Sequence, residues 1–106
     1  MRIHTEVGTP ATIHLFSDSV PAVVVRVNPK SVTVRRVEVV EASRRRINDE
    51  AEPFPCLAWD GDTSKPVGEP ERFPLIGFRP DGSPVYRNGS IGLTLGRSVR
   101  ITDYRY

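Results

Sequence analysis

A chain of 106 residues, 38% apolar and 26% charged, can bury one modest core, so the sequence predicts a single domain spanning 1–106. Its one cysteine, Cys56, excludes an intrachain disulfide scaffold, and no run approaches the roughly 18 apolar residues of a membrane helix. The net charge of +2 conceals strong segregation. Residues 22–46 carry seven Lys/Arg against Glu38 and Glu41, and residues 72–106 carry six arginines against Asp81 and Asp103. Between them, residues 47–71 set Lys65 alone against seven carboxylates. Such a map speaks to association rather than to fold. The opening Met1-Arg2-Ile3-His4-Thr5-Glu6 lacks the apolar core of a signal peptide, which predicts a cytosolic protein.

Val7-Gly8-Thr9-Pro10 reads as a turn into a short strand over residues 11–16, with Ala11, Ile13 and Leu15 on one face. After Ser17-Asp18-Ser19 come two valine-rich strands, 20–27 and 31–40, joined by the tight turn Asn28-Pro29-Lys30. In the first, Val23, Val25 and Val27 share a face, with Val24 and Arg26 opposite. In the second, Val32 and Val34 share a face, Arg35 and Arg36 interrupt, and Val37 and Val39 resume on the other parity. That slip predicts a bulge in the second strand, of the kind that bends a small barrel.

Residues 41–71 are the least regular stretch. Glu41–Glu52 reads as a helical turn or a loop, Pro53–Trp59 as an edge strand or packed arm, and Asp60–Pro66 as a turn cluster. Strands return over 73–79, and Pro80-Asp81-Gly82 turns the chain into residues 84–87. Asn88-Gly89 is a strong hairpin dipeptide, after which Ile91, Leu93 and Leu95 alternate, as do Val99 and Ile101. The whole predicts an all-β, partly open barrel of five to six strands with an irregular insert around 41–71.

Chemistry-bearing patterns are sparse. Cys56 lies between Pro55 and Leu57, the setting of an inert thiol. His4 and His14 have no companion ligands at metal spacing, and Asp60-Gly61-Asp62 lacks the remaining oxygens of a calcium loop. No nucleophile–base arrangement or carboxylate pair stands out, so neither an enzyme nor a metal or cofactor site is expected. Two surfaces remain. Phe54, Leu57, Trp59 and Asp60 have the makeup of an interface anchor, on an edge that could also pair with a second copy as a homodimer. Arg35, Arg36, Arg44, Arg45 and Arg46 form a candidate phosphate-binding patch, without the aromatics of a single-strand binder. Tyr104 and Tyr106, with Arg100 and Arg105, add an aromatic-basic tail.

The stretch Val7–Asp18, the following Val24-Val25-Arg26-Val27 and Val32-Thr33-Val34, and the closing Leu93-Thr94-Leu95-Gly96 and Asp103-Tyr104-Arg105-Tyr106 resemble small bacteriophage proteins with an SH3-like barrel. The resemblance covers both ends and leaves out 41–71. It implies an SH3-like fold and a phage accessory protein in the host bacterial cytoplasm, with no implied activity. The expected role is a non-catalytic module that occupies a host bacterial protein through Phe54, Leu57, Trp59 and Asp60 and so slows host growth. The alternatives are a nucleic-acid binder using the arginine patch and a small virion structural protein.

Overall fold

The computed structural model describes residues 5–103. His4, Tyr104, Arg105 and Tyr106 therefore lie outside the described residues. The strands in chain order are β1 (Pro10–His14), β2 (Ser19–Asn28), β3 (Ser31–Val39), β4 (Arg45–Arg46), β5 (Cys56–Pro66), β6 (Glu71–Phe78), β7 (Pro84–Asn88), β8 (Ile91–Leu95) and β9 (Val99–Asp103). A single 3-10 turn, Glu41–Ser43, separates β3 from β4. The expected all-β architecture is observed as one sheet of nine antiparallel strands among the described residues.

Six of these close a ring in the order β1-β8-β7-β6-β3-β2, completed by β2 pairing with β1. Alternation fills it: Ala11 and Ile13, Ala22 and Val24, Val32 and Val34, with Phe73, Tyr86 and Leu93, form the buried cluster. β-Branched residues suit these positions because their restricted χ1 packs well on a pleated wall. A second, smaller ring shares β2 and β3 and is completed by β5 and β9, which meets β2 only at Ser19 opposite Ile101. β4 is the outer edge of the sheet, paired along Leu57 and Ala58 of β5.

Three sequence expectations change. The bulge lies on β2, between Val24 and Arg26, while β3 pairs unbroken through Arg35 and Arg36. Val24 and Arg26, expected on one face, are separated: Val24 joins Ala22 in the main core, while the extra residue turns Arg26 to the other side, the side on which Val23 is buried. The valine slip in β3 has another cause. Val32 and Val34 face the main core, whereas β3 passes to β5 at Val37 and packs its side chain against Gly61.

The insert around 41–71 is not irregular throughout, since β5 runs for 11 residues through the expected turn cluster. The turn chemistry is still present: Asp62 Oδ1 accepts from Ser64 N at 3.0 Å and from Ser64 Oγ at 2.5 Å. The register jumps there, from Glu38 opposite Asp62 to Val37 opposite Pro66, so the turn becomes a bulge rather than a reversal. Gly61 is obligatory on packing grounds, because a Cβ there would overlap Ser98 Oγ and press on Pro21 Cβ. The β7–β8 hairpin has Gly89 and Ser90 as its central residues, Asn88 opposing Ile91. Gly89 alone takes a positive φ, +60°, as a turn with glycine at its first central position requires.

Candidate partner-binding site

The connection from β4 to β5 spans residues 47–55 and is fixed by its own polar groups. Asn48 Oδ1 accepts from Cys56 N and from Arg46 Nε, each at 2.9 Å, while its Nδ2 donates to Phe54 O at 3.0 Å. Arg46 Nη2 donates to the carbonyls of Asp49 and Glu52 at 2.9 and 2.7 Å. Asp49 Oδ1 accepts from Ala51 N at 2.8 Å, and Ile47 N donates to Cys56 O at 2.9 Å. Asn and Asp favour such connections because their short side chains substitute for backbone partners. The result is a preorganised loop that leaves Ile47 50% and Phe54 56% exposed, with the carboxylates of Asp49 and Glu50 beside them.

Of the predicted anchors, Phe54 stands on this loop and the rest on β5, where they divide between faces. Leu57 and Trp59 are half-buried on one side, opposite Thr102 and Arg100 of β9. The Arg100 guanidinium lies 5.4 Å from the centre of the Trp59 ring, a cation–π contact. The Trp59 indole N–H is buried and has no acceptor among the described residues. Asp60 is on the other side with Ala58, and Arg45 Nη2 holds its carboxylate at 3.1 Å. Trp59 is thus largely a packing residue, and Phe54 is the free aromatic. Ile47 and Asn48 were missed as site residues, and Arg46, expected in the phosphate-binding patch, instead braces this loop. The Asn48-Asp49 pair was the available signal, since both are loop-fixing residue types.

The predicted arginine patch is dispersed. Arg36 is paired with Glu71 at 3.0 Å and Arg35 Nε donates to Gly68 O at 2.8 Å, both toward the 67–71 segment. Arg45 and Arg46 are turned into the 43–60 region by the bonds above, and Arg45 also reaches Ser43 O at 3.1 Å. Only Arg44 is exposed without a side-chain partner among the described residues. The acidic segment folds back on the basic one. Pairs this exposed contribute about 0–1 kcal/mol each, so their effect is on the free charge more than on stability.

The other titrating groups lie away from this loop. The Ser64 hydroxyl and amide hold the Asp62 carboxyl below its usual range, and those of Ser83 do the same for Asp81. Burial lowers the His14 pKa; its ring bonds the Ser19 hydroxyl at 3.1 Å and the Thr94 hydroxyl at 2.6 Å. Cys56 is buried. Among the described residues no three His, Cys, Asp or Glu side chains converge, and no helix is long and apolar enough to cross a membrane. No protein-family model, curated protein or solved structure matches the chain significantly.

Proposed function

We propose that this chain is a small non-catalytic binding module whose contact surface is the braced 47–55 loop. The observation that carries it is the exposure of Phe54 and Ile47 on a loop held by Asn48 and Arg46. Aromatic anchors on rigid supports lose little conformational entropy when they dock, and such residues dominate interface energetics. Asp49 and Glu50 select a partner whose apolar pocket is rimmed by cations. On this reading the barrel is SH3-like and the partner is a host bacterial protein, occupied rather than chemically altered by a phage accessory protein. The resemblance of Val7–Asp18 and of the C-terminal stretch supports that last step.

The test is capture of a discrete protein from nuclease-treated bacterial lysate by the tagged chain, followed by titration of that protein. Phe54→Ala should weaken binding by about 2 kcal/mol or more, roughly thirtyfold, with the thermal transition preserved. Undiminished affinity in a folded Phe54→Ala variant would remove the loop from the interface.

A further inference from the structure

Alternation in a barrel wall sends every second side chain outward. The inward set of the six-strand ring is its buried cluster, so the outward set follows from the pairing register. Its charged and titratable members are Arg26, Arg35, Arg72, Arg87 and His14, with no carboxylate among them. Of the acids on these strands, Glu71 opposes core residue Val34 and pairs with Arg36, while Glu38 lies beyond the ring opposite Asp62. The start of β9 covers part of the exterior at Thr12, whose hydroxyl donates to Arg97 O at 2.7 Å and accepts from Val99 N at 3.2 Å. β5 covers more of it at Pro21, and Val23 and Ser31 are also buried, whereas Arg26, Arg72 and Arg87 are exposed.

None of these three guanidinium groups is paired with a carboxylate among the described residues. Arg72 Nε donates to Ser31 Oγ at 3.2 Å and Arg87 Nη2 to Ser90 O at 3.4 Å, which orient the groups without neutralising them. Arg26 opposes Thr33, which opposes Arg72, so two strand spacings, about 10 Å, separate their backbones. The β2 bulge is what turns Arg26 to this side.

Beside Arg87 is a trough of about 610 Å³ bounded by His14, Leu15, Phe16, Arg87, Ile91 and Gly92. Phe16 is fully exposed, 101%, at the second position of a turn closed by Leu15 N–H to Asp18 O at 2.8 Å. Nothing in the turn requires an aromatic there. Gly92 lies between Arg87 and His14 in register, its φ is not positive, and a Cβ there would meet nothing within 4 Å. Neither backbone nor packing demands glycine, and glycine weakens a strand, but it leaves a bare floor where a flat group can approach the backbone.

We propose that this exterior face binds single-stranded nucleic acid, with phosphates on Arg26, Arg72 and Arg87 and a base stacked on Phe16 over Gly92. The arginines supply the sequence-independent attraction, and the exposed aromatic selects an unpaired strand, whose bases have free faces. The site is separate from the acidic 47–55 loop and does not depend on it. It also differs from the predicted patch at Arg35, Arg36 and Arg44–Arg46.

Fluorescence anisotropy with a labelled oligodeoxythymidylate of about twelve residues tests it, against a duplex of equal length and against phosphatidylserine vesicles. Three phosphate contacts give a salt slope near −2, so affinity should fall roughly twentyfold between about 50 and about 200 mM salt. Phe16→Ala, in an exposed turn, should weaken the oligonucleotide roughly tenfold and leave duplex binding unchanged. The combined Arg26→Gln, Arg72→Gln and Arg87→Gln variant should lose on the order of a hundredfold and flatten the salt slope. Arg44→Gln should change nothing. No oligonucleotide binding at low salt overturns the proposal. So does equal binding of duplex or vesicles with no effect of Phe16→Ala, which would mean nonspecific attraction to polyanions.

Discussion

The two rings of this molecule are held by different forces. The six-strand ring is closed by backbone ladders on every side and packed with nine buried side chains. The smaller ring closes onto β2 through one residue pair, and the loop at its edge is fixed by side-chain-to-backbone hydrogen bonds. Burial contributes cooperatively to the whole fold, whereas exposed polar bonds fix local geometry at about 1 kcal/mol each. The first ring should therefore set global stability and the second local order. Their surfaces differ as well: arginine-bearing and free of carboxylates on the main ring's open exterior, acidic on the 47–55 loop.

The largest expected effect is in the main ring. Ile13 is completely buried, and Ile13→Ala should cost about 3 kcal/mol, read from chemical denaturation. A loss below about 1 kcal/mol would mean that the ring is not the stability-determining unit. In the smaller ring, Gly61→Ala pushes a methyl into Ser98 Oγ and toward Pro21, at a cost of about 1–3 kcal/mol. Adding Ser98→Gly should recover part of that loss. A neutral Gly61→Ala would show that β5 does not pack closely on β9 and β2.

The same contrast explains what the sequence made legible. The valine hairpin was readable because Val24, Val32 and Val34 report burial through alternation, as do Ile91, Leu93 and Leu95. The course of β5 was not, because Asp60–Pro66 has the composition of a turn and forms one locally, at Asp62–Ser64, inside a strand paired on both edges. The facing of Arg26 was equally hidden, since a bulge inverts parity and β2 shows no local sign of one. At the candidate loop, Phe54 was legible as an aromatic outside any alternating run. The fate of the arginines was not, because it depends on which partners the fold brings near: Glu71 to Arg36, Asp60 to Arg45, loop carbonyls to Arg46.

A smaller effect is expected where Asn48 braces the loop. Asn48→Ala removes three hydrogen bonds, two of them to the backbone of Phe54 and Cys56. The expected outcome is amide exchange over residues 47–56 accelerated roughly tenfold or more, with the global transition lowered by about 1 kcal/mol at most. If the global transition fell by several kcal/mol, the loop would be an integral part of the core and the division between the rings would fail.

The smallest effect concerns pH and a residue on the main ring's exterior. His14 lies between the Ser19 and Thr94 hydroxyls, and burial lowers its pKa from the ordinary 6.5. Between the lowered folded value and 6.5 the unfolded chain binds more protons than the folded one, so stability rises with pH across that window. Acidification through 6.5 therefore begins to weaken the fold, and the loss is complete once pH is below the folded value. Asp62 and Asp81, both lowered by serine hydrogen bonds, contribute stability that is lost only as pH falls below their ordinary 3.8, so they leave the histidine window clear. His14→Gln keeps a donor and an acceptor between the two hydroxyls and removes the titration. Its denaturation midpoint should change less than that of the parent between about pH 7 and about pH 5. Parallel profiles for parent and variant would show that protonation of His14 is energetically neutral, and that the hydroxyls accommodate the imidazolium as well as the neutral ring.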